Sequence, residues 1–246
     1  MTTTTLMATT TGTAMAGEAA GPLLYLLQVA NASFPTGAFN HSLGFETWID
    51  AGELETADCL ELACRDWLMF GLAGVDGAAC AIAYRAAAAG DVPGLLAIDE
   101  LIGAVKLTRE GREASEKTGR SLLGAVRDVF ALPGLAVLAD AVGAGRCAGH
   151  QAVVFGAAGA AAGVSEEETV LAFLQVSLAN LVGVGARLIP LGQIDAQRIV
   201  RRAWPLLGEA TATARATPPE RLGAATAGLD VAGMRHERLY TRLCMS

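Results

Sequence analysis

Side chains suited to nucleophilic or metal chemistry are sparse in these 246 residues, which include three histidines and five cysteines. The cysteines stand at 59, 64, 80, 147 and 244, with no C-x-x-C pair. An odd number at irregular spacing argues against a disulfide framework and for free thiols in a reducing compartment. Such thiols pack as small hydrophobes. His41, His150 and His236 lie far apart in the chain, and no spacing brings them onto one metal. A structural or interface role is the expectation for each, and a transient metal contact stays open only for His236, beside Glu237. The run from Gly111 to Thr118 approaches the spacing of a phosphate-binding loop. It places Glu116 where the second glycine should expose backbone donors, and no strand precedes it. Gly143-x-Gly145 and Gly183-x-Gly185 lack the full dinucleotide spacing. Neither G-x-S-x-G nor H-E-x-x-H occurs. No cofactor and no metal site is therefore expected. The chain reads as a binding or assembly protein. The alternative is a helical-bundle enzyme whose site converges from distant helices, with His41, Glu46, Glu110 and His150 as its candidates.

The charged residues are more informative. Glu46 interrupts an apolar helix, so its carboxylate needs either a buried partner or an interface. Glu110, Arg112, Glu113, Glu116, Lys117 and Arg120 form a mixed run. In it, Glu113–Lys117 and Glu116–Arg120 have the favourable i, i+4 order. A solvated helix face and a partner contact are both open there. Arg187 falls in the last turn of a helix, where a cation suits the dipole. Pro190-Leu191-Gly192-Gln193 then reads as a stop and restart. The final residues, Met234 to Ser246, carry Arg235, His236, Glu237, Arg238 and Arg242 among Met, Leu and Tyr side chains. Arg and Tyr are typical interface anchors. Docking on a partner is the favoured reading of this tail, against a self-packed terminal helix.

The elements that must position these residues are helical. Leu60, Ala63, Cys64, Trp67 and Leu68 recur as one buried stripe, with Asp58, Glu61 and Arg65 opposite. Ser165 and Glu168 make a capping box, and the run to Leu188 sets Val170, Phe173, Leu174, Ser177, Leu178 and Leu181 on one face. Sustained period-2 alternation is missing, and the one Asp-Gly pair, Asp76-Gly77, does not stand between two alternating runs, so no hairpin turn is expected. Helices are expected at about 22–30, 38–51, 56–71, 75–89, 94–106, 109–130, 134–143, 149–163, 166–188 and 193–207, the last kinked at Pro205. Short links suit an all-α, single-domain helical bundle of about ten helices. Three segments follow: a disordered tail at 1–20, the bundle at 21–208, and an irregular connector with a C-terminal partner-binding tail at 209–246.

Composition limits the function classes. Lys and Arg total 18 against 25 Asp and Glu, a formal charge of −7. That argues against a sequence-independent nucleic-acid binder and against a polybasic membrane-surface protein. Mean hydropathy is +0.41. Residues 147–165 and 169–186 approach spanning length without formal charge but contain polar residues, so both are expected to be buried bundle helices. The Thr-rich N-terminus lacks a basic region and an apolar core, so no signal peptide is expected.

Five stretches together resemble the urease accessory protein family UreF. The first, Leu26 to Glu46, matches the family pattern at Pro35, Gly37, Phe39, Ser42, Gly44 and Glu46, and departs at Phe34, His41 and Phe45 with similar bulk. Read physically, Pro35 and Gly37 make a helix junction, and Phe39, Leu43, Trp48 and Ile49 pack the second helix. The second stretch is Glu110-x-Arg112-x-x-Ser115 with Gly119. The third is His150-x-x-Val153-x-Phe155-Gly156. The fourth is Arg187 to Gln193 with Gln197, including Pro190 and Gly192. The fifth is the tail, where Cys244 replaces the family's aromatic residue. The resemblance covers about residues 23–246 in order. It implies an all-α, cytoplasmic homodimer without catalytic activity of its own. Implied partners are UreD (also UreH), the GTPase UreG and, through their complex, apo-urease, into which nickel is loaded. The implied role is to couple or regulate the GTPase cycle. Partner-binding residues on this reading are Glu46, Glu110, Arg112, Ser115, Arg187, Gln193, Arg235, His236, Glu237, Tyr240 and Arg242.

Overall fold

Helix signals account for the architecture. The structure, a computed structural model, describes residues 11–244, with side chains from residue 20. In chain order the helices are α1 (Thr11–Val29), α2 (Phe45–Asp50), α3 (Ala57–Trp67), α4 (Ala78–Ala89), α5 (Val92–Val105), α6 (Arg109–Phe130), α7 (Ala136–Gly143), α8 (Gln151–Ala161), α9 (Glu166–Leu188), α10 (Gln193–Arg202), α11 (Trp204–Ala216) and α12 (Ala227–His236). Among the described residues there is no strand. The fold is one all-α domain.

The core sits around α9. Its capping box forms as expected: Glu168 N–H donates to Ser165 Oγ at 3.2 Å, and Ser165 N–H donates to the Glu168 carboxylate at 3.3 Å. Val170, Phe173, Leu174, Leu178 and Leu181 are buried along it. Beside it, α8 is buried over most of its length. Gly156 lets α8 lie directly on α4, since a Cβ there would collide with the Cys80 carbonyl. Gly119 gives α6 the same closeness to the Gly149 carbonyl.

Four boundaries differ from the sequence expectations. Helix α1 starts at Thr11, inside the expected tail, because Ala14, Ala16, Ala19 and Ala20 favour helix. Residues 1–10 of that tail, and Met245 and Ser246 at the other end, lie outside the described residues. The helix expected at 38–51 is a 3-10 turn, Ala38–Asn40, followed by the short α2. Leu43 at φ +51° and Gly44 at φ +94° separate them, and two left-handed residues cannot sit inside an α-helix. Between α3 and α4 the expected gap is filled by π-helix, Leu68–Gly77, which makes 57–89 continuous. The helix expected at 193–207 divides at Ala203, with Pro205 in the first turn of α11, where its missing N–H costs nothing. Helix α11 then runs to Ala216, and α12 follows, so regular structure extends well beyond residue 208.

Two stretches are long and apolar enough to cross a membrane by length and composition: Ala57–Ala89, 67% buried, and Glu166–Leu188, 61% buried. Both are packed into this bundle.

Candidate functional site

Helix α2 begins with a carboxylate that has no water to face. Glu46 is 5% exposed. Its Oε2 lies 2.9 Å from His236 Nε2, and its two oxygens accept from the backbone N–H of Leu243 (2.6 Å) and Cys244 (3.0 Å). The other ring nitrogen, Nδ1 of fully buried His236, lies 2.8 Å from Glu110 Oε2. Glu110 Oε1 accepts from Arg242 at 2.9 Å, and Arg109 donates to Glu237 at 2.9 Å. A ring protonated at both nitrogens donates to both carboxylates; a neutral ring donates to one. Helices α2, α6 and α12 and the chain end thus meet on one imidazole.

Backbone contact supports this node. A Cβ on Gly44 would stand 2.8 Å from Gly233 N, so α12 rests on the turn that starts α2. Thr47 Oγ1 donates to the Ala232 carbonyl at 2.9 Å. From α9, Arg187 donates to the Phe39 carbonyl at 2.6 Å. It also meets the Cys244 thiol, whose pKa is raised mainly by burial and next by Glu46, while Arg187 opposes both.

A second cluster holds the start of α8. Asp99 of α5 is 1% exposed, and its carboxylate accepts from the backbone N–H of Ala148 (2.6 Å), Gly149 (3.1 Å) and His150 (2.7 Å). It satisfies the amides of the turn leading into α8, up to the N-cap His150, at the end where negative charge is favoured. The buried His150 ring meets Ser115 Oγ at 3.1 Å. Burial holds the His150 pKa below its usual value; the charge of Asp99 opposes this. Arg112 turns back to cap the end of α5, donating to the Lys106 carbonyl at 3.1 Å, and Lys106 pairs with Asp76 at 2.8 Å.

Between these clusters, along the π-helical stretch, lies a cleft of about 440 Å³. His41, Ser115, Thr118, Gln151 and Asn180 are among its lining, as are Thr226 and Asp230.

The sequence expectations fare unevenly. Glu46, Glu110, His236, Glu237 and Arg242 come together, but Glu46 and His236 are buried against their own chain and present no open surface. Ser115 and Arg112 also make internal contacts. Tyr240 is fully exposed, and Arg235 and Gln193 are exposed. Glu116–Arg120 pairs as expected, whereas Glu113 pairs with Arg109 instead of Lys117. Phe39 is 44% exposed, and Phe45, fully buried, is the aromatic that packs α2. Gly37 takes its left-handed turn at φ +77° beside exposed Pro35, and Ser42 is buried. Pro190 and Gly192 form the expected break between α9 and α10. The tail is partly self-packed, through α12 and Cys244. Sequence reasoning missed Asp99, although its place among Leu95, Ile98 and Ile102 is the signal that marks Glu46.

The enzyme candidates do not converge. Glu46 and Glu110 meet on His236, while His150 meets Ser115. The Ser115–His150 contact has the nucleophile–base spacing. Asp99 does not orient the ring, because its carboxylate is spent on backbone amides. Among the described residues no group of three His, Cys, Asp or Glu is arranged to hold a metal ion.

Fold and site together define an all-α bundle whose buried charges fasten its own C-terminal segment. The UreF family profile matches residues 54–203. The urease accessory protein UreF of Geobacillus kaustophilus is 38% identical over 91% of this chain and 98% of its own length. That of Actinobacillus pleuropneumoniae is 36% identical over 92% of this chain and 100% of its own. That of Rhodopseudomonas palustris is 36% identical over 97% of each. The chain belongs to the UreF family of urease accessory proteins.

Proposed function

We propose that this chain is a non-enzymatic assembly factor for the urease nickel centre. It binds UreD (UreH) and the GTPase UreG, acts in the cytoplasm as a homodimer, and couples GTP hydrolysis to nickel delivery into apo-urease. Nickel is cargo in this reading, and no resident cofactor is invoked. The observation that carries it is the anchored tail. Glu46 holds the backbone of Leu243 and Cys244, yet Tyr240 and Leu243 point outward at 105% and 77% exposure. A segment fixed in place that exposes an aromatic and a leucine has already met part of its ordering cost before a partner arrives.

The test is co-purification of the tagged chain with UreD and with UreG, separately and together. Recovery of a stoichiometric complex is expected, reduced by Tyr240→Ala. No recovery of either partner overturns the proposal.

A further inference from the structure

We propose that the cleft between the C-terminal segment and the bundle is a binding site for a small organic cation, an amidinium or ammonium on a flat apolar body. The inference stands apart from the urease reading and needs only the geometry of the cleft.

Its size, about 440 Å³, lies within the range of small-molecule pockets. Trp67 and Phe173 give it aromatic surface, with Leu72 and Leu181 beside them. Its charged lining is Asp76, Lys106 and Asp230. Lys106 is taken by Asp76, with Nζ 2.8 Å from Oδ1 and 2.9 Å from Oδ2. Asp230 is left over. Among the described residues its carboxylate has no hydrogen bond and no ion pair. The cleft therefore carries one uncompensated negative charge within a largely apolar lining, which suits a cation on an apolar body.

Two amide oxygens complete the acceptor set. Gln151 Oε1 accepts from Thr118 at 3.3 Å and keeps a second lone pair, and the Asn180 amide, without a partner, has its oxygen free to accept. One free carboxylate with neutral amides is a poor set for a divalent ion, which takes several charged oxygens. It is a good set for a charge spread over N–H groups. Burial raises the Asp230 pKa against the pull of Lys106, so a bound cation would relieve a group that now lacks a partner.

The test uses benzamidine, with benzamide and benzoate as neutral and anionic controls of the same shape, titrated into the full-length protein. Saturable one-to-one binding of benzamidine is expected, with perturbation of the Trp67 indole N–H signal. Benzamide, benzoate and the Asp230→Asn variant should each bind at least tenfold more weakly. Lys106→Gln, which frees Asp76, should tighten binding, so the charge argument is checked even if Asp230→Asn fails to fold. No saturable binding at millimolar benzamidine overturns the proposal. Equal affinity for benzamide, or unchanged affinity in Asp230→Asn, does so too.

Discussion

Glu46 and His236 are 190 positions apart in the chain and 2.9 Å apart in the fold. Around that contact the start of α2 meets the end of α12, and the last described residues are fixed in place. Glu46 alone receives His236 and two backbone amides. Removing it leaves three buried or half-buried donors unpaired. Glu46→Ala should cost about 3 kcal/mol, because each buried donor left unpaired costs about 1–3 kcal/mol. Thermal unfolding should then fall by about 6–12 °C for a domain of this size. Glu46→Gln should cost less, because an amide oxygen still accepts. A midpoint within about 1 °C of the parent for Glu46→Ala would remove the node from the account.

Tyr240 tests the opposite property. Its side chain touches little of its own chain, so Tyr240→Ala should change stability by less than about 0.5 kcal/mol. At an interface the same truncation costs about 2 kcal/mol or more. Arg242 is half-exposed, and its pair with Glu110 contributes about 1 kcal/mol or less to folding. Arg242→Ala should therefore unfold near the parent temperature while partner capture falls. Unfolding of both variants would assign the tail to the core.

Acid should weaken the fold through His150. Its folded pKa is held below the usual 6.5, chiefly by burial. Between that lowered value and 6.5 the unfolded chain binds the extra proton, so stability rises with pH across this window. The contribution is fully present above pH 6.5 and is lost as pH falls below it. His150→Asn cannot take up that proton. The stability difference between parent and variant, followed by denaturant titration from pH 7.5 to about 5, should shrink as pH falls. A difference independent of pH contradicts the assignment.

The glycines separate by what surrounds them. Gly156→Ala drives a methyl into the Cys80 carbonyl and should cost about 1–3 kcal/mol or more. Gly124, in α6, has nothing within 4 Å of its absent Cβ. Gly124→Ala should stabilise by about 0.5–1 kcal/mol. Equal effects of the two substitutions would mean that α8 does not press on α4 as described.

Much of the fold is legible in the sequence because it is local. The stripe through Leu60, Cys64 and Trp67, the Ser165–Glu168 box and the Pro190–Gly192 break each depend on neighbours within a few positions. Leu43 is not legible, because a left-handed leucine is set by what α12 leaves for the turn. The π-helical stretch is hidden for the same reason. Its carbonyls at Phe70 and Gly74 accept from Ala225 and Gly223, about 150 residues later. For the site, the residue types can be picked out but their partners cannot. Glu46 needs a partner by its apolar setting, and only the fold names His236. Asp99 carries the same signal, but no motif draws attention to it.

Reconstitution of urease activation tests the central claim most directly. Apo-urease, UreD, UreG, nickel and GTP would be combined with the parent chain, with Tyr240→Ala, or with neither, and urease activity measured. Activity is expected with the parent chain, a marked loss with Tyr240→Ala, and little without the chain. Equal activation in the absence of the chain would contradict that claim.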